Sequence, residues 1–560
     1  MIAKAFLKPY NVEWRPKSRE EILRDLSNEM FDILIVGGGS SGVGCAVDAA
    51  TRGLKVALVE SDDFGSGTSS KSTKLLHGGV RYLEKAFIDF DYSQFKLVSE
   101  ALQERKVVMD ACPYLTKTID IMFPIYTRAL FIYYYIGLKL YDWLSGSQSL
   151  GRSRFINYNQ TIENYKHVRK DRLVGSIVYK DGQFFDAKYN VIVGLTAAYF
   201  GASIINHCEL RQFVKQNNKI TGAVVFDKLA QKEYTVKSKV VINTTGQFAD
   251  EVRHLAENDD KNIVMQSSGT HIVVSNEFGP TNMGFVDPNT ADGRLAFLLP
   301  YKGKMLMGAT DIKCNELPRA VPKEEDLEFL MHEVDFYTER NIELRKKDVM
   351  SVWTGIRPLI RDTSKANTEK IVRRHSINID DDGLVTLTGG KWTIYRLMAE
   401  QAIDATISKF KLKPTRCCLT KSLKMIGAQT YSDFAIDEIR THLSVPQDIA
   451  EHLATSYGTR AFLISRYMEN GYTRLVEDYP YIKEEIYYQM EFEMAVKISD
   501  VLFNRLLISY IDVRKASKMV EQIGRIMQRH YEWSEERYET ECNQCNGYLE
   551  TMGLTLLCKK

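Results

Sequence analysis

The sequence predicts an α/β dinucleotide-binding domain of the Rossmann type, interleaved with an antiparallel-sheet domain and followed by an all-α C-terminal domain. Three observations carry this. Residues 31–60, FDILIVGGGSSGVGCAVDAATRGLKVALVE, set a glycine turn between an apolar strand and a helix, with a second apolar strand ending on Glu60. Short strand-like runs (GTHIVVS, LAFLLPY, KMLMGATD) crowd residues 266–360. Beyond Pro414 the composition shifts, and Tyr481 to Ile523 contains neither Gly nor Pro.

Taken in order, residues 1–30 read as an N-terminal extension with a helical run at SREEILRDLSNEM. Residues 1–12 carry two lysines and no acid, a hint of organelle targeting, but lack the apolar core of a signal peptide. Ile33–Val36 is an unbroken apolar run, as a strand buried on both faces requires. Gly37, Gly39 and Gly42 then fall at G-x-G-x-x-G spacing, with Ser41 inside the turn. Gly37 permits the tight turn, Gly39 lets backbone approach a pyrophosphate, and Gly42 lets helix and strand close up. The helix start offers free N–H groups to phosphate, and Glu60 stands where a ribose diol would donate to it. The motif alone does not separate NAD from FAD.

DDFGSGTSSKSTKLLHGGVRYLEK, residues 62–85, is dense in Gly, Ser and Thr. Such a loop can wrap a phosphate and a flat, polar-edged ring, which makes Ser66, Thr68, Ser69, Ser70, Leu75, His77 and Gly78 candidates; the alternative is a surface linker. Arg81 and Tyr82 open a helical segment at about 84–110. Residues 122–144 are the most aromatic stretch; basic Arg128 and Lys139 suit a membrane interface, and a core helix is the equal alternative. Residues 172–245 return to α/β, and Val240–Gly246 ends in a small-residue turn like the second pyrophosphate strand of FAD enzymes, which favours FAD and adds Gly246. At 384–406, Gly389-Gly390-Lys391 sits between strand and helix, a last ligand-facing helix start. Asn378, Asp380, Asp382 and Gly383 mimic half a calcium loop, but Gly389 stands where the bidentate Glu is needed, so a hairpin turn is expected. Ile482, Ile486, Met490, Met494 and Ile498 recur every fourth residue, as on one amphipathic helix.

The dinucleotide-binding segments are about 31–100, 181–255 and 365–410; the interleaved domain takes about 101–180 and 256–364; the helical domain is 411–560. At 560 residues the chain exceeds one core. A formal net charge of +2 gives no reason to expect a nucleic-acid partner. Nine cysteines, mostly in apolar runs, suit a reducing or membrane-shielded compartment. Cys542–Cys545 lacks the second pair of a zinc site, so no metal is expected. No stretch of about 18 uncharged apolar residues exists to span a membrane.

GTSSKSTKLLHGGVRYLEK, LVGSIVYKDGQFFDAKYN, GTHIVV, WTGIRPLI, GGKWTIYRLMAEQAID and ATSYGTRAFLI together resemble the FAD-dependent glycerol-3-phosphate dehydrogenases, nearest the mitochondrial, quinone-linked form, from about Ser27 to Gly553. Gln247 departs from a usual proline and Asn504 from a usual arginine, and the calcium-binding extension of the animal form is missing. The resemblance implies a glutathione-reductase-like, D-amino-acid-oxidase-like fold and FAD as cofactor. It implies oxidation of sn-glycerol 3-phosphate at C2 to dihydroxyacetone phosphate, with electrons passed to a ubiquinone-type acceptor. It also implies a peripheral place on the mitochondrial inner membrane, with a cytosol-facing membrane as alternative, and allows a homodimer. By the same resemblance Arg357 and Arg373 clamp the phosphate, with Arg374 the alternative to Arg373. His271 is the candidate base, and Arg81, Tyr82 and Lys391 lie near flavin and C2 oxygen. An oxidase releasing peroxide and a non-catalytic flavin sensor stay open.

Overall fold

The structure is a computed structural model that describes residues 13–79, 92–257, 261–287, 296–314, 320–338, 343–361 and 375–558. The run MFDILIV forms the strand Met30–Val36, with its last four residues all buried. Aliphatic residues without polar alternation belong in a sheet covered on both faces. It pairs in parallel with Val56–Val59 and with Lys232–Asn243, Ile33 facing Val56 on one side and Val240 on the other. Across this sheet the order is His375–Ile379, Val385–Gly389, Lys232–Asn243, Met30–Val36, Val56–Val59, Ser203–Ile205, with the hairpin Cys208–Gln216 and Lys219–Asp227 attached to Lys232–Asn243. Helix Ser40–Thr51 lies against Asp186–Tyr199 and Tyr395–Phe410. The N-terminal helix Arg19–Asn28 starts from a Ser18–Glu21 capping box and buries Ile22, Leu23 and Leu26. The calcium-like stretch is a hairpin turn between His375–Ile379 and Val385–Gly389, as read from the sequence.

The second sheet is built on two long antiparallel strands, Val264–Ser275 and Val349–Ile360, in register from Val264–Ile360 to Val273–Ser351, with a bulge before Val274–Val349. It continues through Lys304–Gly308, Ala296–Tyr301, Gly284–Asp287, Thr116–Ile125 and Gly175–Phe184 to the short strand Leu75–Leu76. That last strand belongs to the Gly/Ser-rich loop, so the loop is sewn into the second sheet while its start leaves the first.

Two stretches resolve differently from a single sequence pattern. In 122–144 the strand Thr116–Ile125 is buried through its last residues, but in the helix Arg128–Ser145 only Leu138, Tyr141 and Ser145 are. Ile132, Ile136 and Trp143 are 60%, 55% and 73% exposed, which rules out a core helix. Among the described residues no helix is long and apolar enough to cross a membrane.

The i, i+4 line at 482–498 is not one helix. Its side chains are buried, yet the helix Glu484–Phe492 ends, Met494 turns to positive φ, and Asp500–Arg505 winds as a π-helix. Buried polar side chains take over the backbone there. The Arg505 guanidinium donates to the Glu493 carbonyl and to Asp63 (2.6 Å), and Asn206 donates to the Met494 carbonyl. Lys188 pairs with the Glu493 carboxylate (2.6 Å), and His207 with Asp500 (3.0 Å). Asn504 donates to Asp63 as well (2.7 Å).

Candidate active site

The glycine turn is shaped by close approach. Gly37 takes φ +103°, and a Cβ there would come 2.9 Å from the Thr244 carbonyl. A Cβ on Gly42 would sit 1.8 Å from the Gly37 carbonyl oxygen. Gly39 caps helix Ser40–Thr51 with no side chain of its own, so no capping side chain blocks an anion's approach to the helix start. Ser40 N–H donates to Ser69 Oγ at 2.9 Å, with Ser41 and Gly42 next in the turn. Glu60 ends the second strand. Its carboxylate accepts from Gly38 N–H (2.6 Å) and Asp62 N–H (2.8 Å), while burial pushes its pKa up. Gly246, at φ +62°, closes the end of Lys232–Asn243 with open space before it, the nearest atom to a Cβ there being Pro358 Cγ at 3.9 Å. A glycine-walled cradle at a helix start, with a carboxylate one strand away, fits a dinucleotide pyrophosphate and ribose.

The 66–78 loop is no surface linker. Ser66 N–H returns to the Asp63 carbonyl (3.0 Å), and Thr68–Ser70 forms a 3-10 turn with Ser69 and Ser70 buried. Thr68 Oγ1 donates to the Ile356 carbonyl, and the Ser69 carbonyl accepts from Trp392 Nε1 (2.8 Å). Leu75 pairs with Gln183. The His77 carbonyl accepts from Thr393 Oγ1 (3.3 Å), and Gly78 N–H donates to Tyr141 Oη (3.0 Å). Gly390, at φ +81°, has Met398 Sδ 2.3 Å from where a Cβ would be, and Lys391 caps the turn that leads into Tyr395–Phe410.

His271 and Arg357 stand on the two long strands of the second sheet. The His271 ring is buried, stacked on Trp353 (5.7 Å between centroids), and faces Gly308, where a Cβ would come 2.4 Å from the ring. Its Nε2 lies 3.0 Å from Thr73 Oγ1. Burial, then the cations Arg357 and Lys74, hold its pKa well below the usual histidine range. Both causes favour the neutral form of the ring. The Arg357 guanidinium donates to the Ser268 (3.0 Å) and Thr310 (3.1 Å) carbonyls and pairs with Asp311 (3.4 Å), and it is one-fifth exposed. A Cβ at Gly269 would meet Nη2 at 2.1 Å, so a larger residue there would displace the guanidinium.

The structure thus brings the glycine turn, the 66–78 loop, the Gly389–Lys391 turn, His271 and Arg357 to one junction of the two sheets. Arg81, Tyr82, Arg373 and Arg374 lie outside the described residues. Sequence reasoning missed Thr73, Lys74, Asp186 and Trp353, although all four stand inside stretches it quoted. The signal for Lys74 was a lone basic residue set against Leu75-Leu76 in an otherwise small, polar loop.

The family of FAD dependent oxidoreductases matches residues 32–400, and the C-terminal domain of alpha-glycerophosphate oxidase matches residues 418–538. A protein of Encephalitozoon cuniculi named probable glycerol-3-phosphate dehydrogenase is 47% identical over 97% of this chain and 89% of its own length. The mitochondrial glycerol-3-phosphate dehydrogenase of Mus musculus is 40% identical over 97% of this chain and 76% of its own. Among solved structures, the glycerol-3-phosphate dehydrogenase of Bacillus halodurans complexed with FAD is similar with a TM-score of 0.77 at 26% identity, across 96% of this chain and 98% of that one.

The cradle makes a direct prediction. Gly42→Ala forces helix and turn apart at the Gly37 carbonyl, so the purified variant should carry almost no flavin while its far-ultraviolet circular dichroism stays that of the wild type. A fully yellow Gly42→Ala protein would contradict the placement of the pyrophosphate.

Proposed function

The chain belongs to the FAD dependent oxidoreductases and, within them, to the glycerol-3-phosphate dehydrogenases; from that premise we propose that it oxidises sn-glycerol 3-phosphate at C2 to dihydroxyacetone phosphate and hands the electrons to a ubiquinone-type acceptor. The observation that carries this is the buried His271 on the strand paired with that of Arg357, beside the dinucleotide cradle. When bound, FAD supplies the two-electron acceptor, flavin N5, for the hydride that leaves C2. The chain's residues do the rest. Gly37, Gly39, Ser41, Gly42, Glu60, the 66–78 loop, Gly246 and Gly390 hold the cofactor.

Arg357 and Arg373 bind the substrate phosphate, for which the planar guanidinium fork is the matching donor. His271 takes the C2 hydroxyl proton. Arg81, Tyr82 and Lys391 are assigned by the family resemblance to the C2 oxygen, where positive charge would stabilise the developing alkoxide. Burial of His271 against Trp353 keeps water from competing for the proton.

The exposed face of helix Arg128–Ser145 supports a peripheral place on a bilayer. Ile132, Tyr133, Ile136 and Trp143 face out, with Arg128 at the helix start for anionic headgroups. The mouse relative's mitochondrial designation supports the inner mitochondrial membrane as that bilayer. A second reading has an observation of its own: the C-terminal region matches a domain named for an oxidase. In that case oxygen is the acceptor and peroxide is released.

Four outcomes follow. Turnover of sn-glycerol 3-phosphate should run on a short-chain quinone and yield dihydroxyacetone phosphate, with little oxygen uptake; rapid peroxide release without quinone would install the oxidase reading. His271→Ala should lower kcat by about 10²- to 10⁴-fold with flavin content unchanged. In the wild type the acid limb of kcat/KM, after allowance for the phosphate's own titration, should fall below the ordinary histidine value of about 6.5, because the depressed pKa delays protonation of the base. Near wild-type turnover in His271→Ala, or an acid limb above that value, would remove His271 from the base role. The protein should sediment with anionic vesicles and lose this on Ile136→Glu with Trp143→Glu; sedimentation unchanged by the pair would move the contact elsewhere.

A further inference from the structure

We propose that Thr73 is the positioning residue of the base: its hydroxyl fixes the ring of His271, and a buried Lys74–Asp186 pair holds Thr73 in place to do so. This rests on the reading of His271 as the base.

Thr73 Oγ1 lies 3.0 Å from His271 Nε2. A hydroxyl both donates and accepts, so Thr73 can partner Nε2 in either protonation state of the ring. With Nε2 held by Thr73, the C2 hydroxyl proton goes to Nδ1, a buried atom with no hydrogen-bond partner among the described residues, and the ring keeps one orientation as that proton comes and goes.

The loop around Thr73 is tied from both sides to a single carboxylate. Ser72 donates through its N–H (3.1 Å) and its Oγ (2.7 Å) to Asp186 Oδ2. Lys74 Nζ donates to Asp186 Oδ1 (2.6 Å) and to the Ser70 carbonyl. Asp186 heads the buried helix Asp186–Tyr199, so the anchor itself is rigid. Lys74 adopts φ +61°, a left-handed conformation that residues other than Gly, Asn and Asp seldom take, and it is fully buried. A lysine in so disfavoured a place is held there by what it touches.

The same ammonium reaches the other contact of the imidazole. Lys74 Nζ sits 5.3 Å from the Trp353 ring centroid and 4.4 Å from that of Tyr510, and Trp353 is the ring stacked on His271. The hydroxyl at Nε2 and the indole on the ring face therefore trace to one cation and its carboxylate. Lys74 and Asp186 serve here as support.

The test uses the FAD-loaded enzyme with sn-glycerol 3-phosphate. Thr73→Val removes the hydroxyl and keeps the shape; Thr73→Ser keeps the hydroxyl. Thr73→Val should lower kcat by about 10²-fold, the size expected for a misaligned catalytic group, with KM and flavin content little changed. Thr73→Ser should restore most of that loss. In the His271→Ala background, Thr73→Val should cost nothing further. Thr73→Val at wild-type kcat, or Thr73→Ser as slow as Thr73→Val, overturns the proposal. His271→Ala at wild-type turnover overturns the base reading instead, so the two failures are distinguishable.

Discussion

A helix start that must stay bare governs this molecule. Beyond Ser40, whose N–H is taken by Ser69 Oγ, the first-turn N–H groups of Ser40–Thr51 are useful to a phosphate only if no capping side chain covers them and the preceding strand stays close. Both conditions meet at the contact of Gly42 with the Gly37 carbonyl, where a Cβ would lie 1.8 Å from the oxygen. Everything nearby is arranged to hold that approach. Thr244 Oγ1 donates to the Val36 and Gly37 carbonyls (2.9 Å each), which ties the turn to the neighbouring strand. Tyr395 and Ala399 pack against Gly44 one turn further along the same helix.

The second sheet meets this cradle along seams pinned by buried charge. Lys74–Asp186 fixes the loop shared by both sheets; Arg505–Asp63 and Lys188–Glu493 fix the helical region to the first sheet. Breaking one partner of such a pair typically costs about 3–5 kcal/mol, since it strands the other charge without water. These pairs thus penalise any other docking of the layers. They also explain why the helical region touches the site at all: Tyr510 reaches across to cover the Lys74 ammonium.

Much of this was legible in the sequence, and the limits are physical. The strand Met30–Val36, the glycine turn and Glu60 are local, and each residue's job follows from its own geometry. The family-like motifs carried His271 and Arg357 with them. What stayed hidden were long-range pairings: nothing in the spacing of Ser72, Thr73 and Lys74 says that Asp186 will meet them. The pattern at 482–498 misled because burial alone repeats every four residues there, while Arg505 and Asn206 draw off the carbonyls a continuous helix would need. The 122–144 stretch was ambiguous because aromatic and aliphatic residues suit a core and an interface alike, and only exposure separates them.

The account stands or falls on whether the bound flavin takes electrons from this one substrate. The direct measurement is anaerobic mixing of the holoenzyme with sn-glycerol 3-phosphate while the oxidised flavin band is followed by stopped flow. Rapid, complete bleaching with sn-glycerol 3-phosphate, and none with glycerol, which lacks the phosphate that Arg357 and Arg373 are assigned to hold, is the result the account predicts. A band that persists with the phosphorylated substrate, or bleaches equally with glycerol, would contradict it.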